Sequence, residues 1–311
     1  MKIAIIGSGA MGSLFGGMLA GVTETCLYDV NATHIEAIQK NGLIMSQGDK
    51  KNIVMVRATT KPAEIGLMDA VIIFVKYPFT RSAMKDAMVS SIGPETLVVT
   101  VQNGIGNVEI LKEFVSEEQI AYGLSTLTSD MEGPGHIEMT TKKKVPTCIW
   151  PLNGEITEKI QKFSEIMNKA GLNTEITKDV DRQIWQKLMV NASENTLCAL
   201  LRQNVTGIID TPASFEIAKQ IIFEVADVAQ AKGINISREQ GLRHVIEVTR
   251  SVPQHVPSMA IDLKNKKQTE IACLNEAIVA EGNRLGVPTL MTATVARMIR
   301  AIESNYDKLV Y

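Results

Sequence analysis

Charge of one sign is the first thing this chain lacks. Its 311 residues carry 32 lysines and arginines against 34 aspartates and glutamates, a formal net charge of −2. That balance offers no general attraction to nucleic acid or to an anionic membrane. There is no basic arm, acidic tail, low-complexity tract or internal repeat. No apolar run approaches the ~20 residues needed to span a bilayer. Met1 leads straight into an apolar strand, which leaves no room for a signal peptide. The four cysteines (Cys26, Cys148, Cys198, Cys273) are scattered, without CxxC or Cys/His ligand spacing, and His34, His136, His244 and His255 add no metal signature. The expectation is a soluble cytoplasmic protein with buried free thiols, no metal, and neither nucleic acid nor membrane as partner.

What is present is apolar residues in short blocks. Hydrophobic content of 45% supports well-buried interiors, and at ~100–200 residues per domain the length suggests two domains. Ile3, Ala4, Ile5 and Ile6 suit a strand buried on both faces of a parallel sheet. The run breaks at Gly7, and Gly7, Gly9 and Gly12 fall in the GxGxxG spacing. Gly7 permits a tight turn, Gly9 lets backbone approach a pyrophosphate, and Gly12 allows the next helix to pack on the strand. That helix, over 10–19, offers free N–H groups and a positive dipole end to phosphate. Residues 25–29 read as a second strand ending in Asp29, 22 residues beyond Gly7, close to the ~20-residue offset at which a carboxylate meets the adenosine ribose. An ordinary strand–turn–helix with no ligand is the bland alternative. The full context favours a dinucleotide site, with Gly7, Ser8, Gly9, Ala10, Met11 and Gly12 as its phosphate turn and Asp29 as its ribose contact.

Residues 31–42 open on polar capping candidates and close on Asn41-Gly42, as a short second helix does. Residues 44–63 read as loop and short strand, without a clean alternation. Residues 68–75 form another buried strand ending at Lys76, followed by a helix over 80–91, a strand over 96–101 and a turn over 102–107. This alternation is the doubly wound pattern, in which ligands lie beyond the carboxyl ends of the strands. Lys76 and Asn103 both sit at such ends. Lys76 is either a solvated surface lysine or a cofactor contact; Asn103-Gly104 is either a simple turn or a functional amide near the nicotinamide. Residues 121–149 read as an antiparallel continuation of the sheet, with a turn at 131–135 and Lys142, Lys143 and Lys144 in a solvated loop. A helix over 155–170 and an edge strand over 173–177 bring this dinucleotide-binding domain, 1–178, to its boundary. The remainder, 179–311, is expected to be an all-α domain with helices over 181–201, 214–232, 238–251, 259–285 and 289–304. The 259–285 helix is its expected packing spine. The exposed faces of so many helices offer a surface for pairing into a homodimer.

Inside the first of those helices, Lys187, Asn191 and Asn195 recur at i, i+4 and i+8. They line one face over ~12 Å at ~1.5 Å per residue. Asparagine is a poor helix former because its side chain competes for the backbone, so two of them beside Ile184 and Leu188 need a reason. Polar residues satisfied at a helix–helix seam would supply one; a substrate site would supply another.

Four blocks together decide between these readings. They are Gly7-Ser-Gly-Ala-Met-Gly12, Gln102-Asn-Gly-Ile-Gly106, Trp185-Gln-Lys-Leu-Met-Val-Asn-Ala-Ser-Glu-Asn195, and Ser258-Met-Ala-Ile-Asp262 with Thr269-Glu-Ile271. Carrying them over nearly its whole length, the chain resembles the ketopantoate reductase (2-dehydropantoate 2-reductase) family. The first block is generic to nucleotide binders; the Lys-x3-Asn-x3-Asn stripe with the Ser-Met-x2-Asp-x7-Glu stretch is far more specific. The resemblance implies a Rossmann-type doubly wound sheet followed by the all-α domain, and a reductase acting on a small 2-keto acid. It implies Lys187 as general acid, with Asn191, Asn195 and Ser258 holding the substrate's hydroxyl and carboxylate. It also implies that Glu270 contacts the cofactor ribose and that Lys76, Asn103 and Ser129 line the cofactor cleft, Asn103 reaching the substrate as well. The chemistry fits. Hydride attack on a 2-keto carbonyl builds negative charge on oxygen, which a nearby ammonium stabilises and then protonates. With a reference pKa of ~10.4, the lysine is expected to need no unusual tuning.

Three departures qualify the resemblance. Members that use NADP are expected to carry a basic residue after the second strand; here Asp29 is followed by Val30 and Asn31. A carboxylate accepts hydrogen bonds from a free ribose diol and repels a phosphate, so NAD(H) is expected over NADP(H). Asn204, in Arg202-Gln-Asn-Val-Thr-Gly207, does not align with a further substrate asparagine and stays outside the site. Lys76-Tyr-Pro-Phe79 is unusual after its strand. The rivals are a dehydrogenase for another short 2-keto or 3-hydroxy acid, and a non-catalytic dinucleotide-sensing regulator, which has no need of the lysine–asparagine stripe.

Overall fold

In the computed structural model, which describes residues 1–141 and 145–309, the opening apolar run is strand β1 (Ile3–Ile6), every residue of it buried. The loop expected at Lys142, Lys143 and Lys144 lies outside the described residues. The chain divides into two compact units, 1–102 with 107–180, and 103–106 with 181–311.

The first unit follows β1 with α1 (Ala10–Ala20), β2 (Thr25–Tyr28), α2 (Ala32–Asn41), β3 (Leu43–Gln47), β4 (Lys50–Val54), β5 (Arg57–Thr59) and β6 (Ala70–Ile73). It continues with α3 (Thr80–Ser90), β7 (Leu97–Thr100), α4 (Asn107–Leu111), β8 (Ile120–Ser125), β9 (Ser129–Gly133), β10 (His136–Met139), β11 (Thr147–Pro151), α5 (Glu158–Lys169) and β12 (Thr174–Ile176). Eight strands form one sheet in the order β12-β11-β8-β7-β6-β1-β2-β5. All neighbours in it are parallel except β8 and β11. Both faces are covered, which is why β1 is apolar without alternation. Ile3 and Ile5 enter a cluster with Leu14, Phe15 and Leu19 of α1 and Phe163 of α5. Ala4 and Ile6 enter the opposite one, with Ala83, Met84 and Ala87 of α3. Each such isoleucine contributes roughly 1.5–3 kcal/mol of burial free energy. Chain order reverses at β1, whose neighbours are β2 on one side and β6 on the other, so the crevice beyond its carboxyl end is the ligand position of doubly wound sheets.

Two expectations change here. Residues 44–63 are not loop with one short strand: β5 extends the main sheet, while β3 and β4 join β10 and β9 in a separate four-stranded sheet ordered β4-β3-β10-β9. Of 121–149, only β8 and β11 form the expected antiparallel pair; β9 and β10 belong to the smaller sheet. The smaller sheet is held by partners far apart in sequence, β3 lying parallel to β10. β4 has no buried face to reveal it, since Lys50, Lys51, Asn52 and Ile53 are all exposed.

The second unit is helical: α6 (Val180–Val190), all but its first residue in this unit, runs through a π turn (Asn191–Asn195) into α7 (Thr196–Leu201). Then come α8 (Val205–Asp210), α9 (Pro212–Ala231), α10 (Arg238–Ser251), α11 (Ser258–Lys264), α12 (Asn275–Leu285) and α13 (Leu290–Glu303). The expected spine over 259–285 is therefore two helices, and the longest helix is α9, 20 residues long. α11 stops because Lys266 takes a left-handed conformation at φ 54°. The stretch beyond is held by side chains: Thr269 N–H donates to Glu303 Oε1 at 2.7 Å, and Tyr306 Oη–H to the Lys267 carbonyl at 2.6 Å. The spine role falls to α9, which packs against α8, α10, α12 and α13. Its buried Glu224 accepts from Met291 N–H (2.9 Å) and Thr292 N–H (2.8 Å), satisfying the start of α13.

Candidate active site

The glycine turn after β1 shows three mechanical situations. Gly7 has φ +98°, and a Cβ there would stand 2.6 Å from Val75 N. At Gly12 a Cβ would stand 1.9 Å from the Gly7 carbonyl oxygen, so only glycine lets α1 sit this close to the turn. At Gly9, by contrast, a Cβ would meet nothing within 4 Å, and φ is an ordinary −63°. The chain thus leaves open the one side from which an anion could approach the first N–H groups of α1, where Ala10 and Met11 begin the helix. Gly7 N–H donates to the Tyr28 carbonyl at 2.9 Å, tying the turn to β2.

Asp29 is held by that turn. Its Oδ2 accepts from Ser8 N–H at 2.7 Å and its Oδ1 from Asn31 N–H at 2.9 Å. Each oxygen retains a second lone pair for an outside donor. A further chain of bonds, not foreseen in the sequence, braces the turn from below. Gly135 N–H donates to His34 Nδ1 (3.0 Å), so His34 Nε2 bears the proton facing Ser13 Oγ (3.1 Å). Ser13 Oγ–H in turn donates to the Ser8 carbonyl (2.8 Å). Burial lowers the His34 pKa, with Asp29 acting in the opposite sense. Lys76 follows β6 and is half-buried at the start of a short turn, Tyr77–Phe79. Gln102 Nε2–H donates to the Val75 carbonyl at 2.6 Å, joining the ends of β6 and β7. Ser129 opens β9 at the edge of the smaller sheet, its buried Oγ without a partner among the described residues.

In the second unit, three predicted residues meet. Asn103 Nδ2–H donates to Glu270 Oε2 at 3.1 Å. The same turn is pinned by Ile105 N–H to the Cys273 carbonyl at 2.9 Å, and Gly104, at φ +77°, lies where a Cβ would come 2.2 Å from that carbonyl. Glu270 acts electrostatically on Lys187. Burial strips water from the Lys187 amine and lowers its pKa to about 8, with the Glu270 carboxylate pulling the other way. The expectation of an untuned lysine is therefore corrected: desolvation of the charged form outweighs the attraction of one carboxylate.

The regular i, i+4, i+8 stripe is altered as well. Past Val190 the helix widens into the π turn, whose backbone bonds span five residues rather than four. Asn191 is buried and Asn195 half-buried, and Asn195 Nδ2–H donates to Asn191 Oδ1 at 3.1 Å. Ser258 is exposed at the first position of α11, which packs on the π turn and α7. Asn204 caps α8, its Oδ1 accepting from Gly207 N–H at 3.0 Å. Glu194 and Asn275, which sequence reasoning passed over, both hold the π turn. An acid inside an apolar helix was the available signal for Glu194. Among the described residues no group of three or more His, Cys, Asp or Glu is placed to hold a metal, and no helix is long and apolar enough to cross a membrane.

Compared with known proteins, residues 3–147 match the family described as ketopantoate reductase PanE/ApbA, and residues 179–303 its C-terminal counterpart. The chain belongs to the ketopantoate reductase family. That membership makes it an NAD(P)-dependent oxidoreductase with a Rossmann-type sheet and a helical C-terminal region. It is 30% identical over 309 residues to a 2-dehydropantoate 2-reductase of Streptococcus pyogenes serotype M3, covering 98% of each chain. Among solved structures it resembles a family ketopantoate reductase from Ralstonia eutropha JMP134, at 28% identity and TM-score 0.89, over 99% of this chain and 100% of that one. It equally resembles D-mandelate dehydrogenase in a ternary structure with NADH and anilino(oxo)acetate, at 28% identity and TM-score 0.92, over 99% of both.

Proposed function

We propose that this protein reduces 2-dehydropantoate to pantoate with NADH, a step toward coenzyme A precursors. The observation that carries the reading is the desolvated Lys187 amine, acted on by Glu270 and set on the helix that also presents Asn191 and Asn195. The first unit holds the cofactor: the N–H groups following Gly9 take the pyrophosphate, and Asp29 takes the adenosine ribose diol. Lys76 and Glu270 are further cofactor contacts. When bound, the reduced nicotinamide supplies the hydride. The Lys187 ammonium stabilises the charge developing on the substrate's carbonyl oxygen and transfers its proton to that oxygen, giving the 2-hydroxy acid. With Asn195 donating to Asn191 Oδ1, the Asn191 amide N–H groups are set to donate to substrate oxygen and Asn195 Oδ1 to accept from the substrate hydroxyl. Ser258 and Asn103 add hydroxyl and amide contacts to the carboxylate end.

NADH is preferred because Asp29, fixed by Ser8 and Asn31 N–H groups, repels a 2′-phosphate, and no cation adjoins it at 30 or 31. A second reading, reduction of an aryl 2-keto acid, is favoured by the likeness to D-mandelate dehydrogenase, whose structure contains NADH. An absorbance assay with NADH, NADPH and a panel of 2-keto acids including 2-dehydropantoate and an aryl 2-keto acid separates these. The proposal expects NADH with 2-dehydropantoate to give the highest kcat/KM. A higher value for the aryl acid would transfer the assignment to the second reading, and equal use of NADPH would remove the role given to Asp29.

A further inference from the structure

The helix carrying the substrate amides is interrupted by a π turn, Asn191–Asn195. Such a turn disturbs the regular backbone ladder, so its groups need partners from outside. Asn275, fully buried at the start of α12, supplies two: its Nδ2–H donates to the Ala192 carbonyl (2.9 Å), and its Oδ1 accepts from Thr196 Oγ–H (2.9 Å). Ser193 Oγ–H donates to the Met189 carbonyl at 2.7 Å. The remaining partner is Glu194, only 1% exposed, whose Oε1 lies against Thr249 Oγ of α10.

Thr249 Oγ also lies 2.8 Å from the Val245 carbonyl. One hydroxyl proton cannot serve a carbonyl and a carboxylate together. A carbonyl has no proton to offer, whereas a neutral carboxyl has one. The arrangement Glu194 to Thr249 to Val245 uses both protons and gives the Thr249 oxygen and the Val245 carbonyl a donor each. Burial favours the same form, pushing the Glu194 carboxyl up to about 8, with no cation among the described residues to reverse it. The titratable neighbour is Cys198 of α7, its thiol pushed up to about 12 by burial first and by Glu194 second, and so neutral as well. α10 presents the uncharged Thr249, and α8, α9 and α11, which also pack on the turn, bring no charge to bear on the carboxyl.

We propose that Glu194 is a positioning residue: as a neutral carboxylic acid it donates to Thr249 Oγ and locks the π turn in the shape that presents Asn191 and Asn195 to the substrate. This rests on the substrate-binding role proposed above for the two amides. The full-length variants Glu194→Gln, Glu194→Met and Thr249→Val test it. Glutamine retains a donor for Thr249 Oγ and should keep the KM for 2-dehydropantoate within about threefold of the native value. Methionine fills similar volume without a donor, and should raise that KM about tenfold, the equivalent of one lost net hydrogen bond, with NADH Kd unchanged by fluorescence titration. Thr249→Val should reproduce the methionine result.

A second readout is independent of catalysis. The unfolded carboxyl loses its proton near pH 4.5 and the folded one near 8, so the folded state holds the extra proton between those values. Stability of the native protein therefore falls as pH rises through that window. Its Tm should drop relative to that of Glu194→Gln between pH 5 and 8. A native KM in the methionine variant, a raised KM in the glutamine variant, or parallel Tm curves would each overturn the proposal. If the native protein reduces no 2-keto acid, the site reading fails, while the Tm curves still decide the state of Glu194.

Discussion

An amine with little water around it gives up its proton more readily, and at position 187 that shift would favour the proposed proton transfer. A general acid works best with a pKa near the operating pH, and Lys187 lies at about 8 rather than its ordinary 10.5. The proton must be present for transfer, so kcat/KM for 2-keto acid reduction should be level below pH 8 and fall tenfold per unit well above it. A pH profile of kcat/KM for the 2-keto acid at saturating NADH, which reads the enzyme–NADH complex, checks this; a plateau reaching pH 10 would contradict it. The glycines make a second prediction at the same scale. Gly9→Ala adds a methyl that meets no atom of the chain, so stability should stay within about 0.5 kcal/mol while NADH Kd rises at least tenfold. Gly12→Ala drives the same methyl into the Gly7 carbonyl and should cost about 1–3 kcal/mol of stability. Urea unfolding and NADH titration of both variants separate a methyl that blocks cofactor from one that distorts the fold.

At the scale of elements, the π turn depends on partners distant in sequence. Asn275→Leu keeps the volume but leaves the Ala192 carbonyl and Thr196 hydroxyl without their bonds. At about 1–3 kcal/mol for each of these two buried groups left unsatisfied, the variant should lose about 2–6 kcal/mol in urea unfolding. This turn also shows what sequence reading reaches. β1 and β6 were legible because strands covered on both faces are uniformly apolar, and the GxGxxG turn because its glycines answer to local sterics. The π turn was not, because reading Lys187, Asn191 and Asn195 at regular intervals assumes an unbroken α-helix. The break after Lys264 was missed for a related reason: Asn265, Lys266 and Lys267 are polar but carry no Gly or Pro, and what ends the helix is a left-handed Lys266 with contacts to Glu303 and Tyr306 beyond it. β4 was missed because pairing to β3 supports it, and pairing leaves no hydrophobic period. Of the site, residue types and order along the chain were legible; the tuning of Lys187, the bond between Asn191 and Asn195, and the bracing of Ser8 through His34 depend on burial and distance.

For the whole molecule, cofactor binding and stability are linked. A ligand that binds only the folded chain stabilises it by about 2.7 kcal/mol at a hundredfold excess over Kd. NADH should therefore raise Tm more than NADPH at equal concentration, and Asp29→Arg should narrow or invert the difference; equal shifts in the native protein would refute the preference. The charge balance of 32 against 34 predicts no such shift with DNA. The most direct test of the account is Lys187→Ala assayed for both chemistry and cofactor binding. The account predicts a loss of ~10²–10⁴-fold in kcat for 2-dehydropantoate reduction, with NADH Kd nearly unchanged. Near-native turnover in that variant would contradict it.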